Sequence, residues 1–341
     1  MSSRRHQITI RDVARLANVS IGTVSKALND SGRMRPETRS RIRAVAAELG
    51  FRPNELAQSL HRNQSFTVGI ISTDRFGRFT IPIVEALEER LADQRIAVFM
   101  CNATDDPERE RQHINQLIRK RVDGIVVTAR RADWRPRVDA SVGKVPVLYV
   151  FSQTDDPQSF CLLPDDQGGA MLAVEHLLKL GRRRIAHITG PEHFEAVRLR
   201  RDGYRRALAA ADVKEADGHY LSGVWSEAWG RDAAAKLFDR GRQPPDAIFC
   251  GNDQIARGAG DILRERGIVV PDQVAIVGFD NWEVMTESAR PRLTSVDMNL
   301  KELGREAGSR LMDMIGGQHF EGVRRLPCTL VIRESCGAAK G

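Results

Sequence analysis

Between positions 20 and 26 the chain reads SIGTVSK. Ser20, Thr23 and Ser25 bring hydroxyls and Lys26 an ammonium, groups that donate hydrogen bonds to phosphate oxygens and base edges. Ile21 adds an apolar side chain, and Gly22 offers none. This is the chemistry of gripping a polyanion, not of making or breaking bonds. No P-loop, GxSxG, HExxH or clustered metal-ligand spacing occurs anywhere in the 341 residues, and the eight histidines are dispersed.

The elements that must hold these groups are short helices. Thr9 and Asp12 form a capping box that starts a first helix, with Val13, Leu16 and Ala17 at helical spacing. Asn18 stops it, because asparagine tolerates a left-handed turn. Ser20 then caps a second helix over 21–29, with Val24 and Leu28 facing inward and positions 21–26 left near its outer, N-terminal end. Pro36 fits the first turn of a third helix, which carries the apolar stripe Ile42, Val45, Ala46 and Leu49 and ends at Gly50. Arg35 precedes it where a capping side chain would serve better. Asn54 caps a segment over 55–61 that is too short to stay helical alone in water. Ordered by binding, it would present Leu60 as an apolar wedge for a minor-groove step.

Charge supports this division. Residues 1–62 carry 12 Lys/Arg against 5 Asp/Glu, and the remainder carries 40 of each, so the whole net charge of +7 sits on the helical N-terminal part. A small basic module on a neutral body calls for a polyanionic partner. The five cysteines are scattered without a CxxC spacing, which argues for reduced core residues and against zinc or redox use. No apolar signal-peptide stretch opens the chain and no run approaches membrane-spanning length, so a cytoplasmic protein is expected.

From Phe66 onward short apolar runs alternate with amphipathic stretches. Strands are predicted over 68–72, 96–101, 124–128, 145–151, 185–189, 247–250, 274–279 and 329–332. Helices are predicted near 82–93, 107–121, 168–180, 196–210, 227–239 and 254–266. This alternation argues for parallel α/β sheets. Asp123-Gly124-Ile125-Val126 is echoed by Asp246-Ala247-Ile248-Phe249, which suggests two similar lobes. Polar residues gather where strands end: Asp74 after the first, Asn252 and Asp253 after 247–250, and Asp280 after 274–279. Asp253 suits a helix N-cap as well as a contact, Asn252 suits a turn, and Trp229 and Trp282 suit packing.

The runs TIRDVARLANVSIGTVSKALN and PETRSRIRAVAAELGFRPNELAQSL resemble the lactose/galactose repressor (LacI/GalR) family of bacterial transcription regulators. VEHLLKLGRRRIAHITGP, RLRRDGYRRAL, FCGNDQIARGA and VAIVGFDNWE extend the resemblance into the body. It implies base contacts by Ile21, Gly22 and Lys26, phosphate contacts by Thr23, Ser25 and Asn29, and a wedge role for Leu60. It also implies a ligand cleft between two lobes like those of periplasmic sugar-binding proteins, with Arg200, Asn252 and Asp280 on the ligand and Trp225 stacked against it. Planar donors, carboxylates and an indole face suit a polyol. Asp74, Phe79 and Thr128 complete the expected ligand set. Arg198 beside Arg200 leaves room for an acidic sugar. Three departures from the family pattern bear on the reader: Lys26 where arginine is usual, Gly22 at a specificity position, and Arg35 where a capping serine is common. In the body, Phe151 stands where a polar residue is common.

The expected architecture is an all-α helix-turn-helix domain over 1–53, a hinge helix and linker over 54–65, and a two-lobed α/β effector domain of the periplasmic-binding-protein type (type I) over 66–341. Lobe 1 is expected over about 66–162 and 294–322, and lobe 2 over about 163–293 and 323–338. The expected function is sequence-specific binding of double-stranded DNA at a pseudo-palindromic operator, controlled by a small carbohydrate-like effector. Neither cofactor nor metal nor membrane is expected to take part. No heptad segment follows 329–332, so a homodimer is expected. A stand-alone sugar-binding protein of the periplasmic type would lack the reader. A sugar-metabolising enzyme would need a phosphate loop and a base.

Overall fold

The structure is a computed structural model that describes residues 8–28, 31–51, 64–75, 77–139, 145–239 and 243–338. The chain divides into two units, Met1–Phe66 and Thr67–Gly341.

Among the described residues the first unit contains three helices, α1 (Ile10–Leu16), α2 (Ile21–Leu28) and α3 (Pro36–Glu48). The Asp12 carboxylate reaches back to the amide (3.0 Å) and hydroxyl (2.7 Å) of Thr9 and so closes the start of α1. Asn18 turns the chain with a φ of +47°. Ser20 Oγ accepts from the Thr23 amide at 3.1 Å and caps α2. Arg35 makes no side-chain cap for α3, which starts on Pro36 instead. The core is Val13, Ala14, Ala17, Val24, Ala27, Ile42 and Ala46. Two inward assignments shift: Leu16 is 58% exposed, and Ala27 takes the fully buried place on α2 while Leu28 packs only partly against the core. Spacing alone could not separate these neighbours, because each lies at the edge of the apolar stripe. The expected hinge over 55–61, with Asn29, Asn54 and Leu60, lies outside the described residues.

The second unit is built on two six-stranded sheets. Its elements in chain order are β1 (Thr67–Ser72), α4 (Thr80–Ala92), β2 (Ala97–Asn102), α5 (Pro107–Arg119), β3 (Gly124–Thr128), β4 (Trp134–Arg135), β5 (Val147–Val150), β6 (Gln153–Thr154), β7 (Phe160–Pro164), α6 (Asp166–Lys179), β8 (Ile185–Thr189), α7 (Glu195–Ala210), β9 (Tyr220–Ser222), α8 (Glu227–Leu237), β10 (Ala247–Cys250), α9 (Asp253–Glu265), β11 (Ala275–Phe279), α10 (Glu283–Thr286), β12 (Thr294–Asp297), α11 (Leu300–Ile315), β13 (Gly322–Leu326) and β14 (Thr329–Val331). The first sheet runs β13-β7-β5-β3-β1-β2 and the second β14-β12-β11-β10-β8-β9. Apart from the antiparallel pair β12–β14, every pairing in both is parallel. Strands β3, β7, β8, β10 and β11 are buried throughout, as parallel strands covered by helices on both faces must be.

The four-residue echo marks equivalent places. β3 and β10 are each fourth in their sheet. Asp123 accepts from the Thr67 amide (3.2 Å) where its neighbour strand begins, and Asp246 accepts from the Arg184 amide (3.0 Å) at the matching point. The elements over 160–164, 294–297, 300–315 and 322–326 were not anticipated. The first three are apolar or amphipathic but lie outside the strand–helix rhythm, and Gly322–Leu326 is half polar because it is a sheet edge.

The chain crosses between the sheets three times, after Pro164, Asp297 and Leu326. Strand β12 therefore belongs to the second sheet and β13 to the first. The expected lobe limits at 293/294 and 322/323 are corrected accordingly: β12 completes the second sheet before the chain crosses, and β13 pairs with β7 before it returns. The crossings are laced together. The Asp165 amide donates to Leu326 O (2.8 Å), Asn299 Nδ2 to Pro327 O (2.9 Å), and Thr329 Oγ1 to Asn299 Oδ1 (3.1 Å).

Candidate functional site

On the first unit, the N-terminal half of α2 presents an outward face. Ser20, Ile21, Gly22 and Lys26 are exposed, while Thr23 and Ser25 are half-buried. Ser20 Oγ and Thr23 Oγ1 lie 2.8 Å apart, so the cap also orients Thr23. The Ile21 side chain is 45% exposed, available to a thymine methyl, and Lys26 offers a point charge to a base or phosphate. The unpaired amides at a helix N-terminus add attraction for phosphate.

On the second unit, a cavity of about 670 Å³ lies between the two lobes, the size of a small-ligand site. Its walls come from the C-terminal ends of strands, where open α/β sheets bind ligands. Asp74, Arg78, Phe79, Arg130 and Phe151 line one side, and Asp166, Arg200, Trp225, Asn252, Asp280 and Trp282 the other.

Arg200 stands at the centre. Gly203, one turn further along α7, permits α7 to lie against α6: a Cβ there would meet Gln167 O at 2.3 Å. This approach sets Arg200 against the start of α6, where Nε and Nη2 donate to Asp166 Oδ1 at 2.7 and 2.6 Å. Nη1 donates to Gly251 O at 2.5 Å and lies 3.6 Å from Asp280 Oδ1. The guanidinium rests 3.6 Å over the Phe279 ring. Burial holds the Asp166 carboxyl above its ordinary range against the pull of Arg200.

Asp280 also pairs with Arg78 from the opposite lobe. Its φ of +99° is strained for a residue with a side chain, and Asn281 follows in the left-handed region that asparagine tolerates (+48°). Asp253 holds this turn from behind: its carboxylate accepts from the Trp282 amide (2.7 Å) and the Ser295 hydroxyl (2.5 Å). Burial first, and Asp280 second, push its pKa up to about 8. Asp253 is therefore neither cap nor cleft residue but a support. The cap of α9 is Asn252, whose Oδ1 accepts from the Ile255 amide at 2.8 Å and which also lines the cleft.

The aromatic groups form two walls. Phe79 and Phe151 stack with ring centroids 5.0 Å apart, and Arg78 lies over both Phe79 (4.6 Å) and Trp282 (4.3 Å). Trp225 lies flat against Gly190, where a Cβ would sit 2.2 Å from the indole. Asp74 lines the cavity, with its carboxylate accepting from the Phe79 and Thr80 amides at 3.2 Å each.

Of the seven anticipated ligand residues, the cavity brings together Asp74, Phe79, Arg200, Trp225, Asn252 and Asp280. Thr128 does not line it: as the last residue of β3 it is wholly buried. Trp282 lines the cavity rather than serving only as packing, whereas Trp229 is packing, its Nε1 donating to Thr189 O at 2.9 Å. Arg198 pairs with Glu195 at 2.6 Å and is no part of the cavity wall. Arg78, Arg130 and Asp166 were missed. Arg130 follows a predicted strand end, the signal that identified Asp74 and Asp280, and Phe151 is the last residue of a predicted strand. Asp166 follows a strand that was not anticipated. Among the described residues no three His, Cys, Asp or Glu side chains are grouped as a metal site, and no helix is long and apolar enough to cross a membrane.

Residues 9–54 match the profile of bacterial regulatory proteins of the lacI family, and residues 174–336 that of a periplasmic binding protein-like domain. The chain is 30% identical over 331 residues to the HTH-type transcriptional repressor CytR of Escherichia coli K12, covering 97% of this chain and 96% of the relative. It is 33% identical to the HTH-type transcriptional regulator DegA of Bacillus subtilis strain 168, covering 96% and 97%. Among solved structures, the Lac repressor dimer bound to operator and the anti-inducer ONPF superposes with a TM-score of 0.77 at 28% identity, covering 98% of this chain and all of that one. The transcriptional regulator CelR in complex with cellobiose gives 0.64 at 29% identity, covering 96% and 99%. Reader and two-lobed body are thus shared with these regulators over nearly the whole chain, and this chain belongs to the lacI family of bacterial regulatory proteins.

Proposed function

We propose that this regulator represses transcription in the cytoplasm as a homodimer, and that a small polyhydroxylated ligand in the interlobe cleft sets its affinity for a pseudo-palindromic operator. The observation that carries this reading is the cleft itself. Its two walls belong to different lobes, and the Arg78–Asp280 pair already spans them. A ligand that bridges the same walls favours one separation of the lobes over another, and differential affinity is all that allosteric control requires.

Arg200, Asp280, Asn252 and Asp74 supply polar contacts to ring hydroxyls. Trp225 and Phe79 supply flat surfaces for the C–H face of a sugar. Ile21, Gly22 and Lys26 meet bases in the major groove, Thr23, Ser25 and Asn29 meet mainly phosphates beside the capping Ser20, Asn54 starts the hinge, and Leu60 wedges the minor groove. One short helix covers few base pairs, so two copies are needed. Self-association is supported by the first sheet's edge: strand β2 exposes Phe99 (49%) and Met100 (42%), and nearby α4 exposes Ile81 (54%). A soluble monomer would not carry such an edge uncovered.

The test is operator selection from genomic fragments with the purified full chain, followed by titration of the selected site with and without a panel of sugars. A selected inverted repeat whose affinity changes with one sugar supports the reading. Failure to retain any fragment, or an affinity indifferent to every ligand that binds the cleft, refutes it.

A further inference from the structure

The carboxylates that line the cleft are already engaged within the protein. Asp74 accepts from two backbone amides, Asp133 from the Glu195 amide and Arg131, Asp166 from Arg200, and Asp280 from Arg78. The donors are not balanced in the same way. Arg130, two residues beyond β3, lines the cleft half-buried, with neither a hydrogen-bond nor an ion-pair partner among the described residues. Arg78 Nε is buried and also lacks an acceptor. A guanidinium keeps its charge at any physiological pH, and a partly desolvated one gains from a paired anion.

Four arginines (Arg78, Arg130, Arg131, Arg200) and four aspartates (Asp74, Asp133, Asp166, Asp280) line the cleft, so its charge is balanced overall, but Asp74 is held by backbone amides and the planar fork of Arg130 is left locally unpaired. A carboxylate matches it in charge and in bidentate geometry. A phosphate monoester brings roughly 1.5 to 2 negative charges, more than one unpaired guanidinium matches. We propose that the ligand of the cleft is a sugar acid, an aldonate or uronate, whose carboxylate is held by Arg130 while its hydroxyls meet the Arg200 side. The inference rests on the reading of the cleft as a polyol site and narrows it. Arg198, turned out onto Glu195, has no part in it.

The experiment is calorimetric titration of the full chain with matched pairs: D-glucose, D-gluconate and D-glucuronate; D-galactose, D-galactonate and D-galacturonate; and D-glucose 6-phosphate. At least one carboxylate is expected to bind at least about tenfold more tightly than its neutral parent. Arg130→Gln is expected to erase that advantage, so that the acid and its neutral parent bind the variant alike. Arg130→Lys should restore part of it, and Arg198→Gln should change nothing. If neutral sugars bind as well as their acids, or Arg130→Gln leaves acid binding intact, the inference fails while the polyol site stands. Preference for the 6-phosphate overturns the carboxylate assignment. Absence of binding by every compound overturns both readings.

Discussion

Arg78 and Asp280 lie 202 positions apart in the chain and on opposite lobes, yet their side chains are joined in an ion pair that is 16% and 5% exposed. The pair bridges the cleft. Replacing Arg78 by methionine keeps an apolar stem over Phe79 and Trp282 and removes the charge. The ligand-free lobes should then separate more, with a larger radius of gyration in small-angle scattering and a changed operator affinity. An unchanged scattering curve and unchanged affinity would show that the pair does not set the resting separation.

Gly190 gives the indole of Trp225 its seat. Gly190→Ala places a methyl 2.2 Å from that ring, so the ring must move. Overpacking of this kind costs about 1–3 kcal/mol. Ligand affinity should fall at least about tenfold, while operator binding without ligand stays as in the parent. Loss of both activities together, read by anisotropy and calorimetry, would mean that Trp225 supports the fold rather than the ligand.

The reader should fail independently of the cleft. Lys26→Ala is expected to cost about 1–3 kcal/mol of operator affinity. Lys26→Arg should change which base is preferred, because a fork replaces a point charge. Leu60→Ala should weaken operator binding by roughly tenfold to a hundredfold, since unstacking a base step needs an apolar wedge. Ligand titration should be unaffected in all three. Because the +7 excess lies within residues 1–62, raising salt should loosen DNA steeply and leave sugar binding nearly flat.

Much of this was legible before any coordinates. Ser20 as cap, Asn18 as stop and the strand over 247–250 are local signals, decided by neighbours a few residues away. The polar groups at strand ends were legible because parallel sheets put ligands there. Arg78 and Asp166 were not, since each takes its meaning from a partner far along the chain, Asp280 and Arg200. Thr128 erred for the opposite reason: a strand-end position does not say to which face a side chain points. Nor does spacing tell when an edge strand returns to the other sheet, as β13 and β14 do.

His187 gives a pH dependence of known sign. It is fully buried on β8, its Nδ1 donates to Phe249 O at 2.9 Å, and burial lowers its pKa to about 3. The unfolded residue binds a proton near 6.5 and the folded one does not, so stability is full above 6.5 and falls as pH drops toward 3. The slope is at most about 1.4 kcal/mol per pH unit. Asp253 acts oppositely: its contribution is lost as pH rises from 3.8 to about 8. Urea unfolding of His187→Phe at pH 7, 6 and 5 should show a flatter acid limb than the parent. Parallel limbs would exclude His187 as the source.

The three laced crossings have a mechanical consequence. Tethers placed side by side leave two bodies one easy bend and resist twist and shear. Ligands of different outline then differ only in the amplitude they impose along that single coordinate. Cleft side chains can be exchanged to accept a new ligand without inventing a new transmission, because the output motion is set by the tethers rather than by what is held.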